Sequence, residues 1–112
     1  MRIAIPIAQG QLCQHFGHCA EFALVDVNSQ DKCISGIFTE AAPTHAPGVL
    51  PQWLGQQKVN VVIAGGMGSR AQALFAQNGI EVVIGATAGT PETVVNAYLN
   101  GTLQTGTNIC DH

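Results

Sequence analysis

Residues 59–64 constrain the fold of this chain most, because they form an almost unbroken apolar run rich in β-branched side chains. Such a strand is typical of a parallel sheet that helices cover on both faces. A glycine-rich segment follows, then a helical pattern that ends at Gly79, and residues 80–84 repeat the apolar strand pattern. The sequence therefore predicts a β-α-β unit inside an α/β fold.

The first third of the chain predicts three strands and a loop. Residues 2–8 read as a short apolar strand, in which Pro6 indicates an edge position or the end of the strand. Residues 9–19 are predicted as a loop, because they combine glycine and glutamine with clustered cysteine and histidine. The β-rich stretches 21–27 and 33–38 flank a turn composition, which predicts an antiparallel hairpin.

Apolar spacing and terminal signals predict three helices. Residues 50–54 carry apolar side chains at i, i+3 and i+4, Ser69 is the expected cap of the second helix, and Pro91 occupies the first position of the third. The order of elements predicts one mixed sheet with helices packed on its faces. At 112 residues the chain has room for one domain, predicted as 1–101, followed by a polar tail, 102–112.

The charge and hydropathy patterns exclude several functional classes. Four Lys/Arg against seven Asp/Glu give a net charge of −3, and the absence of a basic run argues against nucleic acid as a partner. No apolar run approaches the roughly 20 residues that span a bilayer, which argues against a membrane protein. The N-terminus does not resemble a signal peptide, so we expect a cytoplasmic protein with reduced thiols.

Cysteine and histidine are concentrated in two short clusters and one further loop. Thiolate sulfur and neutral imidazole nitrogen are the ligands that borderline and soft transition metals prefer. No C-x-x-C pair is present, which argues against a closed structural zinc site. Cys33 is predicted to lie in the middle of a strand as an inert small hydrophobe. His45, in a proline-containing loop, is either solvated or a metal ligand. Cys110 and His112, in the tail, either belong to a frayed end or form a pair of ligands. The predicted metal ligands are Cys13, His15, His18 and Cys19, His45, and Cys110 and His112.

The glycine-rich segment after the buried strand predicts an anion pocket. Loops that follow parallel strands converge at one end of an α/β sheet, so this segment and the first Cys/His cluster are expected to share a crevice. Gly65, Gly66 and Gly68 would allow close approach of a ligand and positive φ, and Arg70 adds charge at a helix N-terminus. A negatively charged metal-sulfide cluster needs such a pocket, whereas a bare zinc ion does not. A plain strand-to-helix turn explains the glycines equally well.

Catalysis has little support in the sequence, and the protein is predicted not to be an enzyme. No Ser-His-acid, paired-carboxylate or nucleophile-elbow pattern is present. Cys19 with His15 or His18 could form a reactive thiolate, but no substrate pocket is indicated for it. Two other functions stay open: a carrier or sensor of a single zinc or copper ion, and a regulatory module that binds a nucleotide or a partner peptide.

Several motifs together resemble the dinitrogenase iron-molybdenum cofactor biosynthesis family, over essentially the whole chain. The matching pieces are the strand 2–6, the loops 15–17 and 45–48, the segment 61–71, the start of the strand at 79–83 and the cysteine-histidine end of the tail. The resemblance implies an RNase H-like three-layer domain with a mixed five-stranded sheet and helices on its faces.

The same resemblance implies what the protein does. It implies non-enzymatic binding, carriage or storage of a preformed metal-sulfide cluster that contains molybdenum with iron or copper, with a cluster-donor or acceptor protein as partner. The extra cysteine and histidine residues make the chain similar to the small orange-protein branch of the family. The residues expected to contact the cluster, besides the metal ligands, are Phe16, Gly17, Gly65, Gly66, Met67, Gly68 and Arg70.

Overall fold

The chain folds into a single sheet flanked by helices. The computed structural model describes residues 1–8, 10–12, 21–28, 30–42, 49–86 and 89–103. The strands are β1 (Arg2–Ala8), β2 (Gln11–Leu12), β3 (Glu21–Asn28), β4 (Cys33–Ala41), β5 (Val61–Ile63) and β6 (Glu81–Val83). The helices are α1 (Val49–Gln56), α2 (Ser69–Gln77) and α3 (Pro91–Leu99). None of the helices in these ranges has the length and hydrophobicity that crossing a bilayer requires.

The sheet is mixed, with β1 at its centre. Five strands follow the order β4-β3-β1-β5-β6, and the two-residue β2 pairs with β1 outside that path. β1 is parallel to β5 and antiparallel to β3, β5 is parallel to β6, and β3 and β4 form the predicted antiparallel hairpin. The prediction of a mixed α/β fold is therefore confirmed. Its finer placement as RNase H-like stays an expectation from the resemblance.

Side chains of the central strands alternate between the two faces of the sheet, and this produces two hydrophobic cores, one on each face. Successive side chains of a strand point to opposite faces. Ile3, Ile5 and Ile7 pack with α3, whereas Ala4 packs with α1 and α2 in the second cluster. Each buried isoleucine contributes about 1.5–3 kcal/mol of apolar burial. The apolar strands therefore hold helices on both faces, which gives the three predicted layers.

Pro6 lies in the central strand, so the prediction of an edge position or strand end is wrong. Met1 and Val27 exchange both backbone hydrogen bonds, at 2.8 and 3.1 Å. Antiparallel pairs alternate between bonded and non-bonded, so Pro6 and its partner Phe22 form a non-bonded pair. On the other side, the parallel ladder with β5 ends at Ala4. The missing amide hydrogen of proline therefore interrupts neither ladder.

Three other local predictions differ from the structure. The segment 9–19 was expected to be a loop, but β2 pairs with β1 in its first part. Gly68, and not Ser69, is the N-cap of α2, and Ser69 is the first helical residue. Cys33 is the first residue of β4 and is exposed, so it lies at the start of the strand and not in its middle, and it is not buried. These differences change local details and leave the topology as predicted.

All three helices end in a Schellman motif, in which a residue in the left-handed conformation follows the helix. Gly79 and Gly101 occupy this position after α2 and α3, with φ of 74° and 72°. After α1 the position is taken by Lys58, whose φ is 63°. Its N–H donates to the carbonyl of Gly55 at 3.1 Å, and the next N–H donates to that of Leu54 at 3.1 Å. Lys58 therefore adopts a conformation that favours glycine.

We expect Lys58→Gly to raise the free energy of unfolding by about 0.5–1 kcal/mol. The left-handed conformation disfavours an L-residue by about 1–2 kcal/mol, and the greater freedom of glycine in the unfolded chain offsets part of that gain. Lys58→Ala removes the same side chain but keeps the penalty, and it serves as the matched control. Urea unfolding of both variants measures the difference. A glycine variant no more stable than the alanine variant would contradict the prediction.

Candidate functional site

The parallel strands bring three loops to one end of the sheet. β1, β5 and β6 end at Ala8, Ile63 and Val83, and because they run parallel to each other these residues lie at the same end. We call this the carboxyl end of the sheet, and we call the opposite end, where Arg2 and Glu81 begin β1 and β6, the amino end. Loops at the carboxyl end are where open α/β sheets bind ligands.

The hairpin attaches two more segments to the carboxyl end. Glu21 pairs with Ile7 and with Ala41, so β3 begins and β4 ends there. The segment between Leu12 and Glu21 and the segment between β4 and α1 therefore connect described residues at this end. These segments contain Cys13, His15, Phe16, Gly17, His18, Cys19 and His45, which lie outside the described residues.

The glycine-rich loop between β5 and α2 is partly buried. Gly65 and Gly66 are buried, and the side chain of Met67 is 1% exposed within the core cluster of α1 and α2. Gly68 is partly accessible and Arg70 is exposed. The loop therefore offers solvent its last residue and the start of α2, and a ligand would contact it there.

The glycines of this loop do not use the left-handed conformation. Gly68 has φ of −65° and ψ of 153°, which any residue adopts. Among the described glycines, positive φ occurs at Gly10, Gly79, Gly85 and Gly101. The prediction of positive φ in the loop is therefore wrong.

Hydrogen bonds join the loops at the carboxyl end through residues that the sequence did not single out. The N–H of Gly85 donates to the carbonyl of Gly65 at 2.9 Å, which links the loops after β5 and β6. The N–H of Leu12 donates to the carbonyl of Gly89 at 2.8 Å, which links β2 to the loop before α3. Gln72 Nε2 donates to the carbonyl of Met67 at 2.9 Å. The sequence signal that could have identified Gln72 is that a polar residue lies one turn into α2.

The N-termini of the helices differ in their ability to accept an anion. At α3, Pro91 has no N–H, the N–H of Thr93 donates to Thr90 Oγ1 at 3.3 Å, and Glu92 places a carboxylate in the first turn. The first turn of α1 contains Pro51, which also has no N–H. Thus the predicted start of α3 is confirmed, and its own residues satisfy its terminus.

The first turn of α2 has none of the three features found at α3: a proline, a side-chain cap and an acidic residue. Gly68 supplies no side-chain cap, and the first turn contains no acidic residue and no proline. Exposed N–H groups at a helix N-terminus, together with the helix dipole, favour an anion. Among the three helices of the described ranges, α2 therefore has the N-terminus best suited to a negatively charged ligand.

The cations of the chain are divided unequally between the two ends of the sheet. Arg2 begins β1, Lys32 lies in the turn between β3 and β4, and Lys58 precedes β5, so all three lie at the amino end. Arg70, in the first turn of α2, is the remaining Lys/Arg and lies at the carboxyl end. The carboxyl end also carries carboxylates, including Glu21. The attraction of an anion to the carboxyl end therefore depends on the N-terminus of α2 and not on the electrostatic field of the whole domain.

Arg2 is committed to a structural role. Its Nε and Nη2 donate to the two carboxylate oxygens of Asp26 at 2.8 and 3.3 Å, and its Nη1 donates to the carbonyl of Gln57 at 2.8 Å. The side-chain hydrogen bond from Arg2 is the main reason that the pKa of Asp26 lies below its ordinary value; partial burial opposes the shift. This ion pair joins β1, β3 and the end of α1 at the amino end.

The tail leaves the domain at the amino end of the sheet. Tyr98 Oη donates to Glu81 Oε2 at 3.2 Å, which places the end of α3 beside the start of β6. Leu103 packs against the core cluster that contains α3. Cys110 and His112 follow beyond the described residues, so their predicted meeting with the other donors stays a prediction. The tail must cross from the amino end to take part.

Within the described ranges, no three His, Cys, Asp or Glu side chains are grouped as a metal site. Cys33 is the sole cysteine or histidine in those ranges, and it lies at the amino end. A ligand set at the carboxyl end would therefore draw on the segments that carry the first cluster and His45. The predicted ligands stay predictions.

We expect Ser69→Asp to raise the free energy of unfolding by about 0.5 kcal/mol, because an acidic side chain in the first turn of α2 interacts favourably with the helix dipole. Ser69 is exposed, so the change disturbs no packing. Gln77→Glu, at the exposed last position of α2, places the same charge at the unfavourable end and should destabilise by a similar amount. Thermal unfolding at low and high salt measures both, since salt screens the effect. Equal shifts of both variants would contradict the prediction.

Comparisons with known proteins agree with the fold and the motifs. Residues 1–101 match the family described as "Dinitrogenase iron-molybdenum cofactor". The uncharacterized protein MJ0580 of Methanocaldococcus jannaschii is 29% identical over 107 residues, which span 93% of this chain and 90% of that protein. The crystal structure of PH0822 is similar with a TM-score of 0.85 and 29% identity over 94% of each chain. The apo form of the orange protein from Desulfovibrio gigas has a TM-score of 0.74 and 21% identity over 96% of this chain and 93% of that one.

Proposed function

Because the chain belongs to the dinitrogenase iron-molybdenum cofactor family, we propose that the carboxyl end of its sheet binds and carries a preformed anionic metal-sulfide cluster. The cluster is cargo, and the protein carries out no reaction on it. A donor or acceptor protein delivers the cluster or receives it. The family description and the resemblance in fold to the orange protein support this proposal at the level of the class of ligand.

One observation carries the proposal: the uncapped N-terminus of α2, with Arg70 in its first turn, lies at the end of the sheet to which the donor-rich segments attach. Free amide hydrogens and a guanidinium stabilise negative charge on a ligand. The segment between β2 and β3 carries two cysteines and two histidines in seven residues. The attachment of this segment supports a site where donors for a metal would adjoin groups for an anion.

The donor chemistry favours a sulfide cluster over a hard cation. Thiolate and imidazole are suited to iron, copper and zinc, while calcium and magnesium take oxygen ligands. A single zinc or copper ion would be satisfied by these donors alone. A cluster of molybdenum with iron or copper, bridged by sulfide, carries negative charge that would also interact with the N-terminus of α2. We therefore propose a molybdenum-containing cluster, rather than a single ion, as the ligand.

Native isolation of the protein tests the proposal. Protein purified from its source without chelators is expected to contain molybdenum with iron or copper, together with acid-labile sulfide and visible charge-transfer absorption. One metal ion per chain without sulfide would replace the proposal with a single-ion carrier. Protein with neither metal nor sulfide, whose Trp53 fluorescence responds to a nucleotide, would replace it with a regulatory module.

A charge variant at each end of the sheet tests the site. We expect Arg70→Gln to weaken binding of tetrathiomolybdate, a molybdenum-sulfide anion, about tenfold, which is the effect of losing one charge-assisted contact. Lys32→Gln makes the same change in net charge at the amino end and should leave binding unchanged. Titration of the apoprotein followed by visible absorption measures both. Equal weakening in the two variants would show a general charge effect and contradict a site at α2.

A further inference from the structure

Two asparagines of the chain precede a glycine, Asn78 and Asn100, and each is the C-cap residue of a helix. Both are exposed, and their backbone conformations are similar, with φ and ψ of −94° and 9° at Asn78 and of −85° and −4° at Asn100. Glycine has no Cβ, so its backbone nitrogen is open to the side chain of the residue before it. At such a pair the main chain can react with its own side-chain amide.

The reaction is deamidation through a cyclic imide. The backbone nitrogen of the glycine attacks the side-chain carbonyl carbon Cγ of the asparagine, so that a bond between these two atoms forms and the Cγ–Nδ2 bond breaks. The hydrogen of the attacking nitrogen leaves with Nδ2 as ammonia. Water then adds to one of the two imide carbonyls and opens the ring, which gives aspartate or isoaspartate. Solvent water is the co-reactant, and no atom is oxidised or reduced.

The folded helix ends hold both glycine nitrogens in hydrogen bonds that oppose this reaction. The N–H of Gly79 donates to the carbonyl of Ala76 at 3.0 Å, and the N–H of Gly101 donates to the carbonyl of Tyr98 at 3.2 Å. These bonds belong to the Schellman motifs, so the motif must open before the nitrogen can lose its hydrogen and attack. The rate at each site therefore depends on how easily that helix end opens.

The side-chain amides of the two asparagines have different surroundings. Asn78 Nδ2 donates to the carbonyl of Leu74 at 2.8 Å, so the nitrogen that would leave is held against α2. Asn78 Oδ1 lies beside α1, at 3.6 Å from the position that a Cβ on Gly55 would occupy. Within the described ranges, the side chain of Asn100 makes no hydrogen bond. The side chain of Asn100 is therefore free to rotate towards the next backbone nitrogen, whereas that of Asn78 is not.

The residues that follow the two glycines differ in the same sense. After Gly79 the chain continues with Ile80, which is 3% exposed in the core, and then enters β6. After Gly101 the chain continues with Thr102, which is exposed, and Leu103, which is half-buried. Opening the end of α2 thus disturbs a core residue and a strand of the sheet, whereas opening the end of α3 releases an exposed residue and a half-buried one. The end of α3 is therefore expected to open more often.

We propose that Asn100 is a site of spontaneous deamidation in the folded protein, and that the end of α2 protects Asn78 from the same reaction. The product carries a new carboxylate at the C-terminal end of α3, where the helix dipole disfavours negative charge. In the isoaspartate form the main chain before Gly101 is one atom longer, which disrupts the Schellman motif. The modification therefore weakens the junction between α3 and the tail, and it does not depend on the proposed function.

Incubation of the folded, unmodified chain at mildly alkaline pH tests the site, with Asn78 as the matched control in the same molecule. Chymotrypsin cleaves after Phe75 and Tyr98, so the two asparagines fall in separate peptides, and mass spectrometry measures the conversion of each amide to an acid. A sample digested without incubation corrects for reaction during digestion. Asn100 is expected to react at least about fivefold faster than Asn78, which is the effect of one additional hydrogen bond at the protected site.

The same incubation in urea separates the effect of the fold from that of the sequence. Both sites have the same Asn-Gly pair, so the two rates are expected to be nearly equal in the unfolded chain. A preference for Asn100 that is present in the folded chain and lost in urea supports the proposal. Equal rates in the folded chain, a faster reaction at Asn78, or a folded chain that is unmodified at both sites while the unfolded chain reacts would each overturn it.

Discussion

The parallel pairing of β1 with β5 is the constraint on which the rest of the structure depends. It joins the N-terminal hairpin to the β5-α2-β6 unit, and it fixes the directions of both. Because the two strands run parallel, the loop after β1 and the loop after β5 leave at the same end of the sheet. The pairing is short, at Ile3 and Ala4, yet both faces of it are covered by core clusters. Burial on both faces therefore stabilises a junction that has few ladder hydrogen bonds.

The two ends of the sheet hold different kinds of interaction. At the amino end, the helices end in Schellman motifs, and Arg2 joins Asp26 to the carbonyl of Gln57. Each of these satisfies backbone or charged groups within the domain. At the carboxyl end, α2 begins without a cap and presents Arg70 to solvent. Groups left unsatisfied by the fold are the ones that a ligand can satisfy, so the division between the ends agrees with binding at the carboxyl end.

Long-range features of the fold could be predicted from the sequence, whereas several local ones could not. The apolar run of β5 and the Pro91 start of α3 are strong signals, and both elements are present. The prediction for Pro6 was wrong because its place in the sheet depends on which residues of β1 are bonded, and this is decided by the pairing with β3 in the folded sheet. The prediction of Ser69 as the N-cap was wrong because serine is a common N-cap residue, whereas the N-cap of α2 is the preceding residue, Gly68. The convergence of loops at the carboxyl end was predictable, since it follows from strand order. Gln72 and Gly85 were not, because their hydrogen bonds join segments that meet only after folding.

The tail limits how a bound cluster could be enclosed. It leaves at the amino end after Leu103, while the proposed site lies at the carboxyl end, a strand length away. Seven strand residues span about 23 Å, and the seven residues from Leu103 to Cys110 reach about 25 Å when fully extended. Cys110 can therefore reach the carboxyl end only if the tail is nearly straight along one face. Ordering so many residues has a conformational free-energy cost of about 1–2 kcal/mol for each.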